Sequence, residues 1–272
     1  MKRFIVFMLV FLCAISIEAQ VMNSSGQKVV RQIDVYIGNN EKPYIMILFN
    51  YSNALKLEEI VFNAPASGKV VWKKTNNSLT RIEYDEEKKI RKDLSYGYKF
   101  ENGLVSQCVI DNIGNDKSTL RYSYFYQYND SNLVISDKRV YFSEKYGVFE
   151  ELSDRYREVF EWDSENNVFT TDEKGWRNGQ MYDYPVLRYN RSYNQQLMND
   201  TNVDFTMLYR YIGNFDRFEM VSEWFGKHSN NLVEKDNGHS FKYVLDNGNL
   251  IQIFEHNQFD RLEKTYKICY WE

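Results

Sequence analysis

The chain has 272 residues, a formal net charge of −4, three cysteines and three histidines. This mildly acidic balance excludes recognition of nucleic acid or of anionic lipid through a basic surface. Aromatic residues make up 17% of the chain and there are three prolines, a composition that favours β-strands.

The N-terminus has the pattern of a secretory signal peptide. Two basic residues precede an apolar run over residues 4–17, and Ala19 provides a small residue before a cleavage site. We predict that residues 1–19 are removed, which changes the net charge from −4 to −5. Residues 20–272 are then a single exported β-meander domain in the periplasm, on the cell surface or outside the cell. The run is short for a membrane span, and an uncleaved anchor is the alternative.

A repeat of two aromatic residues around one polar residue recurs along the chain, followed by a turn and an apolar residue. The six copies are Phe49-Asn50-Tyr51, Tyr98-Lys99-Phe100, Tyr126-Gln127-Tyr128, Phe160-Glu161-Trp162, Tyr209-Arg210-Tyr211 and Phe241-Lys242-Tyr243. Because side chains alternate across a strand, both rings of a copy fall on one face and the polar residue on the other. We therefore predict strands with a buried aromatic face and a solvated polar face.

Strands and tight turns alternate through most of the chain. Thr119–Tyr128 is the clearest predicted strand, and Asn102-Gly103 and Asp246-Asn247-Gly248 supply residues that accept the positive φ of tight hairpins. The sequence predicts an all-β fold, a long antiparallel meander of repeated hairpins from about Val29 to Trp271. A sheet with one aromatic face has to close into a barrel-like shell or fold over itself as a sandwich.

Two segments are less regular. Residues 149–159 carry apolar residues at spacings of three and four, which fits a helix, but the aromatic repeat favours a strand over Arg155–Trp162. Asp172–Tyr184 contains Gly175 and Gly179 and is predicted to be a long loop.

The two cysteines outside the predicted signal peptide have different surroundings. Alternation places Cys108 with Leu104 and Ile110 on an apolar face, and Cys269 on a polar face. Two free thiols are therefore favoured, although an exported protein meets oxidising conditions and a disulfide stays open.

The full unit of an aromatic pair, an Asn- or Asp-containing turn and a leucine is clearest at residues 49–60 and 241–250. It resembles the YD-type repeat and, more closely, a group of secreted Bacteroidetes-type β-repeat proteins of unknown function with a porin-like β-meander. The resemblance covers residues 29–271. The Tyr-Asp pair occurs at Tyr84-Asp85 and Tyr182-Asp183, whereas the Gly-Arg pair of a strict YD unit is missing. The resemblance implies an architecture and no catalytic residues.

Sequence patterns indicate no catalytic, cofactor-binding or metal-binding residue. His228, His239 and His256 lack metal-ligand spacing with one another. The sequence contains no Gly-x-Ser-x-Gly elbow and no glycine-rich phosphate loop. Adjacent carboxylates such as Glu58-Glu59 point to opposite faces of a strand, so they cannot form the pair of a glycosidase, although a pair assembled from distant strands stays open.

Trp176 is the one specific candidate for a ligand contact. It lies in the predicted loop, where an exposed ring could stack on a sugar. The other four tryptophans sit in strand patterns and are expected in the core: Trp72, Trp162, Trp224 and Trp271.

An outer-membrane barrel would also show alternating strands after a signal peptide. Charges on both faces of Leu133–Phe142 leave no clean lipid-facing side, so we expect no membrane-spanning part after signal removal. We predict a non-enzymatic binding or interaction scaffold without a cofactor, whose partner is a glycan or a protein of the envelope. The alternatives are a glycan-acting hydrolase and a structural component of the envelope.

Overall fold

The computed structural model describes residues 22–23, 26–64, 68–74, 79–90, 94–113, 119–145, 148–177, 180–181, 185, 187–211, 221–227 and 229–271. The predicted signal peptide, residues 1–19, lies outside these ranges, as does His228.

Seventeen strands and two short helices are formed by the described residues. The strands are β1 Val30–Ile37, β2 Ile45–Tyr51, β3 Leu57–Ala64, β4 Gly68–Lys74, β5 Leu79–Tyr84, β6 Leu94–Glu101, β7 Leu104–Ile113, β8 Thr119–Tyr128, β9 Val134–Lys145, β10 Val148–Trp162, β11 Val168–Arg177, β12 Gln180–Met181, β13 Leu187–Met198, β14 Asn231–Asp236, β15 His239–Asp246, β16 Asn249–His256 and β17 Leu262–Tyr270. The helices are α1 Phe205–Tyr211 and α2 Ser222–Phe225. Neither helix in this part of the chain has the length and apolar character needed to cross a membrane.

The strands form an antiparallel meander that is nearly closed into a barrel. The first strand, β1, pairs with both β2 and the last strand, β17, which joins the two ends of the chain. The short β12 forms a hairpin with the end of β11, and β13 returns along β11. Where β5 meets β6, the Tyr96 hydroxyl donates to Glu83 at 3.4 Å and the Arg81 guanidinium lies 3.9 Å from the Tyr96 ring centroid. The predicted all-β meander is confirmed, in its barrel form.

Alternating residues of each strand form the interior of the barrel. Those of β1 and β2 are Ile33, Val35, Ile45, Ile47 and Phe49, each at most 1% exposed. In β8, Tyr124 and Tyr126 are buried while Phe125 between them is exposed. The aromatic face therefore points inward, as the polar middle residue of the repeat predicts.

The second aromatic residue of several repeat copies also closes a hydrogen bond at the strand end. The bonds join the side chains of Tyr51, Tyr128, Trp162 and Tyr243 to the carbonyls of Val30, Val105, Val134 and Val233 on the neighbouring strands. Tyr193 and Tyr270, which lie outside the predicted copies, donate in the same way to Val168 and Leu250, each at 2.8 Å. The repeat therefore supplies both core rings and the links between strand ends.

One repeat copy is a helix and not a strand, so the strand prediction for Tyr209–Tyr211 is wrong. Asp204 caps α1 by accepting a hydrogen bond from the Met207 amide at 3.2 Å, as an N-cap aspartate does. Residues 205–209 are all buried. A helix that is buried on every side belongs in a protein interior, so its surroundings decide its conformation.

The predicted long loop over Asp172–Tyr184 is also wrong in its first part, because β11 continues to Arg177 and turns into β12. Asp172 of β11 is paired across strands, because Arg188 of β13 donates two hydrogen bonds of 2.7 Å to it. Such a cross-strand ion pair stabilises a strand that lacks apolar alternation. The strand favoured over Arg155–Trp162 is confirmed as part of β10.

Cys108 is buried in the wall of the barrel and Cys269 is half-buried on β17. The two residues are not joined in a disulfide, as the alternation pattern predicts.

Candidate functional site

The connection between β13 and β14 folds into the barrel. We call residues 199–230 the cap segment; its described parts are 199–211, 221–227 and 229–230. The Tyr209 ring of α1 stacks on Phe241 of β15, with centroids 4.2 Å apart, and meets Tyr266 of β17 edge-on at 5.2 Å. Phe225 of α2 meets Tyr126 of β8 edge-on at 5.3 Å. Because β8 lies across the barrel from β15 and β17 in the strand order, the cap segment spans the interior.

The cap segment fills the space that it crosses. Trp224 has no exposed surface, and Phe205, Met207 and Leu208 are at most 2% exposed. These side chains join the barrel strands in one apolar cluster with Trp72 and Phe49. The described residues of this half of the barrel therefore form a packed core.

Backbone hydrogen bonds fix the cap segment to the hairpin turns at one end of the barrel, which we call the capped end. The amide of Lys227 donates to the carbonyl of Asn132 in the β8–β9 turn at 2.9 Å. The amide of Asn230 donates to the carbonyl of Asn166 in the β10–β11 turn at 3.3 Å. Gly226 has φ +87°, and a Cβ there would lie 2.3 Å from the Asn132 carbonyl oxygen.

Glu223 of α2 links the cap segment to a further strand at the capped end. Its carboxylate accepts a hydrogen bond of 3.0 Å from the Leu57 amide at the start of β3. Burial raises the pKa of Glu223, while the Leu57 amide and the charge of Lys74 oppose that shift. Burial in the same region lowers the pKa of Lys74, and the charge of Glu223 opposes this. The two opposite charges therefore offset part of each other's desolvation cost.

The opposite end of the barrel carries the β14–β15 and β16–β17 turns, and we call it the far end. Here the side chain of Glu255, 5% exposed, accepts hydrogen bonds from Lys264 Nζ at 3.0 and 3.1 Å and from the Tyr266 hydroxyl. His239 Nδ1 lies 3.1 Å from Glu255 and 3.5 Å from Glu263. Burial, and then the charge of Glu255, raise the pKa of Tyr266 well above its usual value, so this hydroxyl remains a proton donor.

A β-bulge brings Glu263 to this cluster. In the β16–β17 ladder Glu255 pairs with Lys264 and His256 pairs with Leu262, which leaves Glu263 as the extra residue. A bulge re-aims the side chains beside it. One ligand atom each from His239, Glu255 and Glu263 lie within 4.8 Å of one another, and such a set of nitrogen and oxygen atoms could hold a metal ion.

Other buried charges line the wall between the two ends. The fully buried side chain of Arg191 donates from Nε to Asp236 at 3.1 Å and from Nη1 to Thr171 at 2.8 Å. Asp137 and Glu158 are buried opposite each other in the β9–β10 ladder. Buried polar and charged side chains therefore lie in this wall as well as in the cap segment.

The candidates chosen from the sequence lie elsewhere. Trp176 is the penultimate residue of β11 and pairs in register with Arg155 and Met181, and so is not in a loop; the structure describes its backbone and not its side chain. Trp72 and Trp224 are fully buried, as expected of core residues, but Trp224 lies in α2 and not in a strand.

The cluster of His239, Glu255 and Glu263 has no signature in the spacing of the three histidines, because two of its three members are glutamates. The predicted Asp246-Asn247-Gly248 turn does indicate that His239 and Glu255 come close together. Reflecting the chain about that turn places His239 and Glu255 at neighbouring positions of one hairpin, and the observed register pairs Phe241 with Glu255. The contribution of Glu263 depends on the bulge, which the local sequence does not specify.

The fold is similar to that of solved proteins from Bacteroides. A porin-like protein from Bacteroides vulgatus matches with a TM-score of 0.57 at 10% identity, covering 89% of this chain and 98% of that one. A porin-like protein from Bacteroides uniformis matches with a TM-score of 0.56, the same identity and the same coverage. No protein-family profile and no curated protein matches the sequence. At this identity the likeness concerns the fold alone, and it agrees with the porin-like β-meander that the repeat resembles.

Proposed function

We propose that the protein is an exported, non-enzymatic binding or interaction scaffold of the bacterial envelope. The observation that carries the proposal is the filled interior at the capped end, where α1 and α2 occupy the space that a channel would need. The signal-peptide pattern of residues 1–19 and the similarity to porin-like proteins support an envelope location.

The outer face of the barrel supports a protein that stays out of the bilayer. Across β2 to β5, one apolar row runs in register through Leu48, Val61, Val71 and Ile82. The rows on either side contain the pairs Asn63–Lys69 and Glu59–Lys73. One row occupies about 7 Å along the strands, because alternate residues are that far apart. A lipid-facing band is about 25 Å tall, and a lysine at its midplane costs about 2–4 kcal/mol.

Expression of the full chain with fractionation of the cells tests this proposal. We expect a mature protein that begins at Gln20, recovered without detergent from the periplasm or the medium. Mass spectrometry of the intact product identifies the cleavage site, and a variant with Ala19→Lys is the control in which cleavage is blocked. Recovery of the mature chain in the detergent-requiring membrane fraction would contradict the proposal.

The partner in this proposal is a glycan or a protein of the envelope. Screening the mature protein on a glycan array, with Trp176→Ala beside the unchanged protein and circular dichroism to verify folding, tests whether the partner is a glycan. Glycan binding that falls in the folded Trp176→Ala variant supports a sugar contact at that position. Release of reducing ends from a bound glycan would instead favour the alternative, a hydrolase.

A further inference from the structure

We infer that His239, Glu255 and Glu263 form a binding site for one divalent transition-metal ion of the zinc type at the far end of the barrel. The three side chains come from three successive strands, β15, β16 and β17. Imidazole nitrogen with two carboxylate oxygens is a donor set that zinc accepts. The site goes beyond the proposed scaffold function, which would stand without it.

The two distances from His239 Nδ1 to the carboxylate oxygens match those between neighbouring ligand atoms of a tetrahedral ion. Zinc bonds of about 2.0–2.1 Å to nitrogen and oxygen put neighbouring ligand atoms about 3.3 Å apart. His239 Nδ1 lies 3.1 Å from Glu255 Oε1 and 3.5 Å from Glu263 Oε2, on either side of that value. All three ligand atoms lie within 4.8 Å of one another.

The imidazole points at the carboxylates without a hydrogen bond to them. His239 Nδ1 is buried and has no hydrogen-bond partner within the part of the chain that the structure describes, although two carboxylate oxygens are close to it. A buried nitrogen that approaches two carboxylates out of hydrogen-bond alignment is poorly satisfied. A cation bound by all three atoms satisfies the nitrogen through its lone pair.

The carboxylates are held by neighbours as metal ligands usually are. Asn257 Nδ2 donates to Glu263 Oε1 at 3.1 Å and the Tyr266 hydroxyl donates to Glu255 Oε2. These bonds use the oxygens that face away from His239 and leave Glu255 Oε1 and Glu263 Oε2 toward it. Such outer partners fix the orientation of ligands and raise their affinity for metal.

Lys264 is the competitor of the ion. Its ammonium pairs with both oxygens of Glu255, and it is 29% exposed. Its flexible side chain can therefore move to solvent when a divalent cation takes its place. The three protein ligands leave a fourth position for water.

Titration of the full-length mature protein with Zn²⁺ by calorimetry, and with Co²⁺ by visible absorption, tests the site. We expect one equivalent of metal per chain, with affinity lowered at least about tenfold in His239→Ala and in Glu263→Gln. His256→Ala, a histidine change on the neighbouring β16, is the matched control and should bind as the unchanged protein does. Circular dichroism verifies that each variant is folded.

The Lys264→Met variant distinguishes a metal site from a group of ion pairs that binds no metal. Removing the competing ammonium should tighten Zn²⁺ binding about tenfold or more. Absence of stoichiometric binding, or binding that His239→Ala and Glu263→Gln leave unchanged, would overturn the assignment. If Lys264→Met binds Zn²⁺ no more tightly than the unchanged protein, Lys264 does not compete with the ion for Glu255, and Glu255 is then not a ligand.

Discussion

At the scale of the residue, buried tyrosine hydroxyls explain why the repeat prefers tyrosine or tryptophan at its second aromatic position. Burial raises the pKa of Tyr51 and Tyr243, the second aromatic residues of two copies, so their hydroxyls remain protonated donors. Each donates to a carbonyl on the neighbouring strand. A phenylalanine would pack in the same place and leave that carbonyl without this donor.

Tyr128→Phe should lower the free energy of unfolding by about 1–2 kcal/mol, because it removes one hydrogen bond to the Val105 carbonyl and leaves a part-buried acceptor. Urea denaturation followed by fluorescence measures the change. Tyr44→Phe, at an exposed position, is the control and should be neutral. Equal stability of the two variants would show that the hydroxyl bond contributes nothing.

The inward direction of the rings was predictable from single residues, because the middle residue of every copy is polar. The hydrogen bonds of the second aromatic residue were not, since their acceptors lie 10 to 28 residues away in the chain. The same holds for His239 and Glu263, which meet through a hairpin and a bulge.

At the scale of the element, the two short helices of the cap segment pack their side chains inside the barrel. The helices are held by Asp204, by Glu223 and by backbone bonds to the turns at the capped end. Isolated helices of this length are unstable in water, so packing against the barrel strands has to stabilise them.

Gly226→Ala should be markedly more destabilising than Gly238→Ala. Both glycines have positive φ, +87° and +91°, so both variants suffer backbone strain of about 1 kcal/mol or more. In Gly226→Ala the new methyl group also overlaps the Asn132 carbonyl, which adds about 1–3 kcal/mol, whereas the nearest atom at Gly238 is 3.8 Å away. Thermal unfolding of the two variants measures the difference. Equal melting temperatures would show that the cap segment does not press against the β8–β9 turn.

Strands and turns were largely predictable because alternation and Asn-Gly pairs are local signals. The helix over Phe205–Tyr211 was not, since an aromatic pair two residues apart fits a strand pattern and the surrounding core decides otherwise. The extension of β11 was missed because its polar residues are compensated by Arg188 on another strand.

At the scale of the whole molecule, the choice between barrel and sandwich depends on contacts between the ends of the chain. The pairing of β1 with β17 joins residues more than two hundred positions apart, which the periodicity of either strand does not reveal. The resemblance to porin-like meanders predicts the architecture, and the described parts of the cap segment add side chains that pack inside the barrel.

Hydrogen–deuterium exchange of the mature protein tests the filled interior most directly. We expect the backbone amides of α1, residues 205–211, to exchange as slowly as those of the β15–β16 hairpin on which Tyr209 packs. If α1 exchanges at the rate of an unprotected peptide while the hairpin stays protected, the barrel interior is not filled, and a channel is then possible.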